Sequence, residues 1–427
     1  FDEIASELSV IAYDDEDNKK ILHSGTVYFG SENQGCPLII PLKGNVSLKK
    51  LRITLLKEDY LHLSNINFLI SDPLRSFGDK PVFFANRRDG LGERLRALLN
   101  AMVLAQYTQG SFYFAWSKSS SYKDILDAGT LFSESFVENH KLEVDKVAQL
   151  NLKPIAKTKI LNNTDENGYL AQRNDNIKKL LKNSGYTLDP QDYKKAFDNI
   201  GFSENILSVI NYARSLKLND KVVAIHLRAG DVVYGRIRYV HGFTEKVIPL
   251  YVLESLIVTF KKEGYQVLIF GQDNSLCEYL KNEFEVTYSL DLIERPYSQM
   301  EEAIYDIVLM SRCQKILAGS SGFAIVSSWI GGIELESYQN YITDEEAMDA
   351  FNVAIAPDGV LNSNKVHPLL RSFALVFHTL SYEEHIGIDE KVNILEYALK
   401  LDPNNIYSKM LLALALYEKG SFIEANR

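Results

Sequence analysis

From about residue 80 to residue 345, short apolar runs of strand length alternate with amphipathic helical stretches, and this alternation limits the fold more than any other feature of the chain. Parallel strands need long crossover connections, and helices supply them, so the pattern predicts an α/β chain built on parallel sheets. Pro81-Val82-Phe83-Phe84-Ala85 reads as a strand, and Leu91, Leu95, Leu98, Leu99 and Met102 follow it at helical spacing. Val222–Leu227 and Gln266–Phe270 read as further strands, with an amphipathic helix from Leu250 to Phe260 between them. Glu301–Ser311 then reads as helix, Lys315–Leu317 as strand and Phe323–Ile330 as helix. Residues 120 to 215 are polar, lysine-rich and mostly helical in pattern, and could insert into or complete the first sheet.

The flanks differ from this body. Gly25–Gly30, Leu38–Pro41, Leu51–Leu55 and Asn67–Ile70 are β-favouring runs separated by turn signals, which predicts a small β-rich module. A cap over the first sheet is the preferred reading of that module, ahead of sugar or partner contact. At the other end, Tyr397–Asn405 followed by Leu412, Ala413, Ala415, Tyr417, Gly420, Glu424 and Ala425 resembles a tetratricopeptide repeat. In that repeat small residues let paired helices approach closely. The expected divisions are a β-rich accessory module at 1–75, Rossmann-like domains at 76–215 and 216–345, a helical connection at 346–385 and repeat-like helices at 386–427.

Composition bounds the class. A chain of 427 residues with 46% hydrophobic content can bury large cores, and its net charge of −10 argues against a broad nucleic-acid footprint. Cys36, Cys277 and Cys313 offer neither a disulfide framework nor paired zinc spacing, so a reducing, cytoplasmic setting is expected, with peripheral membrane association left open. No apolar run reaches the roughly 18 to 20 residues that span a bilayer. The chain begins at Phe1 rather than Met, and the expectation is a fragment of a longer protein.

Four constellations carry candidate chemistry. Arg88-Asp89-Gly90-Leu91-Gly92-Glu93-Arg94-Leu95 sits between a strand and a helix, where glycines permit close backbone approach and a helix N-terminus offers free amides. Alternatively it is an ordinary turn with Arg94 and Arg96 on a solvated face. In His226-Leu227-Arg228-Ala229-Gly230-Asp231 a buried strand runs into charged residues at its carboxyl end, where ligands of open α/β sheets collect. A guanidinium there can hold a diphosphate, and an Arg-Asp pair tying the strand end to its loop is an equally good reading of these residues alone. Phe270-Gly271-Gln272-Asp273-Asn274 ends another strand, and Asp273 could hold a base or ribose or cap the next helix. Ile316–Phe323 places Ser320, Ser321 and Gly322 between strand and helix, a phosphate cradle or again a turn.

Taken together, the order and spacing of these segments resemble the superfamily of α1,2- and α1,6-fucosyltransferases, nodulation fucosyltransferases and protein O-fucosyltransferases. Gly90 to Leu95 matches a Gly-Leu-Gly-x-x-Leu segment, and His226 to Asp231 matches His-x-Arg-Arg-x-Asp except that Ala229 replaces the second Arg. Phe270 to Asp273 resembles a Phe-Ser-Asp-Asp strand end with two changes. Asp306, Leu309, Met310, Ser311 and Cys313, then Ile316, Ser320, Ser321, Phe323 and Trp329, match the most specific segment. The resemblance covers about residues 80 to 335 and implies a GT-B architecture, two Rossmann-like domains with acceptor on the first and donor on the second. It implies metal-independent, inverting transfer of fucose from GDP-fucose, a co-substrate rather than a cofactor, to a glycan or protein hydroxyl. Arg228 would stabilise the leaving diphosphate with the amides near Ser320 and Ser321, and Asp89 is the first candidate base, ahead of Glu93 and Asp231. Gly90, Gly92, His226, Gly271, Asp273 and Gly322 would complete the donor site. The Asp15-Glu16-Asp17 triplet reads as a solvated loop, not a metal motif.

Two other readings stand beside this one. The first keeps the fold with a different nucleotide sugar, as in surface-polysaccharide assembly. The second makes the α/β body a non-catalytic scaffold and assigns partner binding to the repeat-like tail.

Overall fold

The computed structural model describes residues 4–13, 19–29, 50–55, 80–117, 127–144, 147, 152–161, 168–173, 175–235, 238 and 245–425. At the N-terminal side β1 (Ile4–Tyr13), β2 (Lys19–Phe29) and β3 (Lys50–Leu55) form an antiparallel sheet in the order β2-β1-β3. Two of the expected β runs fall in β2 and β3. Leu38–Pro41 and Asn67–Ile70 lie outside the described residues, as do Asp15–Asp17 and Cys36.

The chain divides into two compact units. One comprises Phe1–Asp89, Ala97–Lys123 and Ser135–Leu188; the other comprises Gly90–Arg96, Asp124–Glu134 and Asp189–Arg427. Besides the antiparallel sheet, the first holds a parallel sheet of β4 (Val82–Arg87), β5 (Ser111–Trp116), β6 (Lys153–Pro154) and β7 (Tyr169–Ala171), ordered β5-β4-β7-β6. Val82 to Ala85 are all buried, as a strand covered on both faces requires. The polar middle segment does complete this sheet, through β6 and β7.

In the helix Leu91–Thr108 the residues expected to form its apolar stripe are buried. Arg94 and Arg96, read as candidates for a solvated face, are buried too, at 3% and 8% exposure. The reason is tertiary: Gly92 brings this end of the helix against Gly322 and Phe323, and Arg96 Nη1 donates to Glu93 Oε2 at 2.8 Å.

The second unit carries a five-stranded parallel sheet of β8 (Val222–Leu227), β9 (Gln266–Gly271), β10 (Thr287–Tyr288), β11 (Lys315–Ala318) and β12 (Leu335–Glu336). Its order is β10-β9-β8-β11-β12, so the chain winds outward from β8 in one direction and then returns to continue in the other. All six residues of β8 are buried, and each of its branched apolar side chains contributes about 1.5–3 kcal/mol by leaving water. The core of this sheet runs on through Tyr251, Phe260, Phe351 and Leu375 to Ile394 and Ala398 of the C-terminal helices. Helices Ile388–Leu401 and Ile406–Glu418 form a hairpin closed by Val392, Leu395, Ala415 and Leu416. Ala398 and Ala415 are fully buried, as helices packed closely through small residues require. Among the described residues no helix is long and apolar enough to cross a membrane.

Candidate functional site

The second sheet reverses its strand order between β8 and β11, and crevices at such reversals are where open α/β sheets bind ligands. Ala318 of β11 pairs with His226 of β8, so both strands end level with each other. The sequence beyond each end is Arg228-Ala229-Gly230-Asp231 on one side and Gly319-Ser320-Ser321-Gly322 on the other. Two of the four segments singled out from sequence therefore flank one topological switch point.

A third segment joins them. Gly92 packs directly on the start of the helix Gly322–Gly331, where a Cβ on Gly92 would stand 2.6 Å from the Gly322 carbonyl carbon and 2.7 Å from the Phe323 nitrogen. In the same way a Cβ on Gly322 would lie 2.8 Å from Glu93 Oε1. The carboxylate of Glu93 is thus held beside a helix N-terminus, whose unpaired amides favour negative charge. Its other oxygen accepts a 2.8 Å hydrogen bond from Arg96 Nη1, and the Arg96 guanidinium lies over the Trp329 ring at 5.4 Å. Trp329 in turn stacks on Tyr193 at 4.4 Å. The sequence points to Gly92 and Glu93 as site candidates and to Trp329 within a motif; the ladder that fixes Glu93 also takes in Arg96, expected on a solvated face, and Tyr193.

His226 is buried, with its ring offset over Phe323 at 6.2 Å. Burial, reinforced by the Arg228 charge, pushes its pKa down to about 3, so the imidazole is neutral throughout the physiological range. Its Nδ1 and the buried Ser321 Oγ have no hydrogen-bond partner among the described residues. Ser320 is exposed, and its amide donates to the Glu245 carbonyl at 3.3 Å. Ala229 is buried and, with Arg228, lines a small cavity whose other walls are apolar, among them Leu227, Val247, Leu253 and Leu370. Asp231 belongs to the short helix Gly230–Val233.

The β9 segment divides between two roles. Gly271 is a packing glycine, since a Cβ there would meet Leu227 O at 2.9 Å and Leu227 Cβ at 3.0 Å. Asp273 caps the next helix: Oδ1 accepts from Leu276 N at 3.1 Å and Ser275 Oγ at 2.7 Å, while Oδ2 accepts from the Tyr234 hydroxyl. Of its two sequence readings, the structure displays the cap. The helix motif Asp306 to Cys313 is also largely packing. Leu309, Met310 and Cys313 are buried, and Asp306 accepts from Ser289 Oγ at 2.8 Å.

In the first unit Asp89 sits among guanidinium groups at the carboxyl ends of β4 and β7. Its Oδ1 accepts from Arg87 Nε at 3.1 Å, its Oδ2 accepts from Arg87 Nη2, and Arg173 Nη1 lies 3.4 Å from Oδ2. Arg87 Nη1 also donates to Gln172 Oε1 at 2.9 Å. The sheet order reverses here too, between β4 and β7, so this polar cluster marks the first sheet's own switch point. Gln172 and Arg173 follow a three-residue strand in a polar stretch, and no periodicity singled them out. Gly90 serves its helix, its carbonyl accepting from Glu93 N at 3.1 Å and Arg94 N at 3.2 Å. Among the described residues no group of three or more His, Cys, Asp or Glu converges as a metal site.

No family model matches the sequence, and no curated protein matches it. Solved structures do. The fucosyltransferase NodZ from Bradyrhizobium is similar at 14% identity and a TM-score of 0.38, over 58% of this chain and 91% of its own. A mutant of Arabidopsis thaliana FUT1 in complex with GDP is similar at 14% identity and a TM-score of 0.40, over 60% of this chain and 70% of its own. The iron-containing dodecameric glycosyltransferase TibC from enterotoxigenic E. coli is similar at 13% identity and a TM-score of 0.30, over 78% of this chain and 72% of its own. At these scores the functional reading rests on the residues of the site.

Proposed function

We propose that the chain is a glycosyltransferase of GT-B type that binds a nucleotide diphosphate sugar at the second sheet and transfers the sugar to a glycan or protein hydroxyl, with GDP-fucose as donor. The observation that supports the reading is the pairing of β8 with β11 at the switch point, which leaves the Arg228 segment and the Ser320-Ser321-Gly322 turn following neighbouring strand ends. Arg228 would neutralise charge growing on the departing diphosphate, and the helix amides after Ser321 would share it. The acceptor hydroxyl would attack the anomeric carbon in line with the leaving group and invert its configuration. Arg228 and the amide cradle would supply the positive potential at the leaving diphosphate, so the proposed step calls for no metal.

A base is needed for the hydroxyl proton. Glu93 lies in the same compact unit as Arg228, with Oε1 close to Gly322 at the start of the helix Gly322–Gly331. Glu93 is therefore the favoured proton acceptor, with Asp89 and Asp231 as the alternatives.

The test is thermal stabilisation by GDP, UDP, CMP and ADP and by their sugar conjugates. Selective stabilisation by GDP and GDP-fucose supports the full reading, because a ligand bound only by the native state raises its melting temperature. Selectivity for another nucleotide replaces the donor. No response to any nucleotide transfers the weight to the scaffold reading, in which the exposed Ile406, Met410, Leu414 and Tyr417 of the tail would bind a partner.

A further inference from the structure

The segment that continues from Arg228 is braced by three outside groups, and two of them come from the C-terminal helices. Tyr234 follows the short helix Gly230–Val233; its hydroxyl donates to Asp273 beyond β9, and its ring meets the His367 ring edge-on at 5.0 Å. His367 is the N-cap of the helix Pro368–Ser381, its Nδ1 accepting from Leu369 N at 3.2 Å. Arg238 then donates from Nε to Asp402 Oδ2 at 3.1 Å, and its Nη1 donates to the Gly235 carbonyl at 2.9 Å.

Asp402 is the Asp of the Asp-Pro-Asn-Asn junction between the two tail helices, and its side chain is 5% exposed. A carboxylate that deeply buried is costly without a cation beside it, so tail and segment are coupled through one pair. The tail is itself fixed to the sheet. Ser372 Oγ donates to the Ala398 carbonyl at 2.9 Å, Tyr397 Oη donates to the Leu361 carbonyl at 3.0 Å, and Ile394 and Ala398 share the core of β8. Asp402 therefore stands on a rigid base while it holds a segment that begins three residues after Leu227 leaves the sheet.

We infer that Asp402 and Arg238 are positioning residues for the donor site: the C-terminal helical hairpin orders the Gly230–Gly235 segment and so sets donor affinity, rather than serving only to recruit partners. This rests on the donor site proposed above. It goes beyond the family resemblance, which ends near residue 335.

The experiment uses the full chain with Asp402→Asn, Arg238→Gln and the exchanged pair Arg238→Asp/Asp402→Arg. GDP affinity by calorimetry, melting temperature, and amide exchange in peptides spanning residues 226–235 are measured together. Each single variant is expected to weaken GDP binding about tenfold and to speed exchange across 230–235, with the exchanged pair recovering both. GDP affinity within a factor of about two of wild type in Arg238→Gln, whatever its melting temperature, overturns the inference, since a pair that merely docks the tail would move stability alone. If the wild-type chain binds no nucleotide, the donor-site reading itself fails. Exchange at 230–235 then decides the ordering claim, and unchanged protection in both single variants overturns it.

Discussion

Gly92 and Gly322 meet backbone to backbone, so closely that a Cβ on Gly92 would stand 2.6 Å from the Gly322 carbonyl carbon. This contact sets Glu93 beside the helix N-terminus at the β8/β11 switch point, so it tests the site through stability as well as activity. Gly92 is the second residue of a helix, where helix propensity alone would make Gly92→Ala stabilising by about 1 kcal/mol. The expected result has the opposite sign, a loss of about 1–3 kcal/mol, because the methyl must push two backbones apart. Urea unfolding of Gly92→Ala measures it, and a stabilised variant would show that the approach of Gly92 to Gly322 is looser than described.

Arg228→Ala is expected to lower kcat roughly 100- to 1000-fold while leaving the unfolding midpoint near that of wild type. Arg228→Lys should recover little, because a lysine cannot offer the two parallel donors of a guanidinium to a diphosphate. Sugar transfer from the donor that the thermal screen selects is the measurement. Wild-type turnover in Arg228→Ala would remove Arg228 from the mechanism.

The strands and helices of the second unit were legible in the sequence because their apolar periods are strong and their lengths ordinary: Val222–Leu227 and Gln266–Phe270 are strands to within one residue. β5 is not legible in the sequence, although Phe112 to Trp116 is rich in aromatics, since no turn signal of the usual kind separates it from the preceding helix beyond Gly110. β7 and β12 are not legible for a different reason, being too short to show a period of two. At the site, the segments could be named in advance because glycines, arginines and serines at strand ends are unusual. What each residue does depends on contacts distant in sequence. Nothing local in Asp273 decides between ligand and cap, and nothing near Glu93 announces that it rests against Gly322, more than two hundred positions away.

The choice of base separates Glu93 from Asp89. Glu93→Gln keeps the shape and the acceptor oxygen facing Arg96 but removes the proton acceptor, so GDP affinity should stay within a few-fold while kcat falls about 100- to 10,000-fold. Asp89→Asn is expected to lose less turnover, its main effect being a weaker clamp with Arg87. Single-turnover rates with saturating donor compare the two. The reverse ranking would return the role to Asp89.

His226 gives the protein an acid sensitivity of predictable sign. Its folded pKa, held near 3 by burial and Arg228, lies below that of the unfolded chain, near 6.5. Between those values the unfolded state binds the extra proton, so stability is full above pH 6.5 and falls as pH drops toward 3. His378, lowered to about 4 by burial, acts in the same direction. His226→Phe removes one of the two, and its stability should fall less than that of wild type between pH 7.5 and pH 5. Equal losses in the two proteins, read from urea midpoints, would count against a buried neutral imidazole at 226.

Asp306 works in the opposite direction. Burial raises its pKa to about 7; the Ser289 hydroxyl opposes the shift, and the Glu302 charge adds to it. A folded pKa above the unfolded one means the native state keeps its proton as pH rises from 4 to 7, and the stability this represents is lost as pH climbs through 7. Asp306→Asn removes the ionisation and keeps an oxygen for Ser289 Oγ. Relative to wild type it should therefore gain stability on going from pH 5 to pH 8, by roughly a few kcal/mol. Because Leu309, Met310 and Cys313 of the same motif are buried, this outcome would mark the motif as a device for packing the helix Gln299–Met310 onto the sheet. A pH-independent difference between Asp306→Asn and wild type would instead mean that the carboxylate is ionised in place, and the motif would have to be reconsidered as part of the binding machinery.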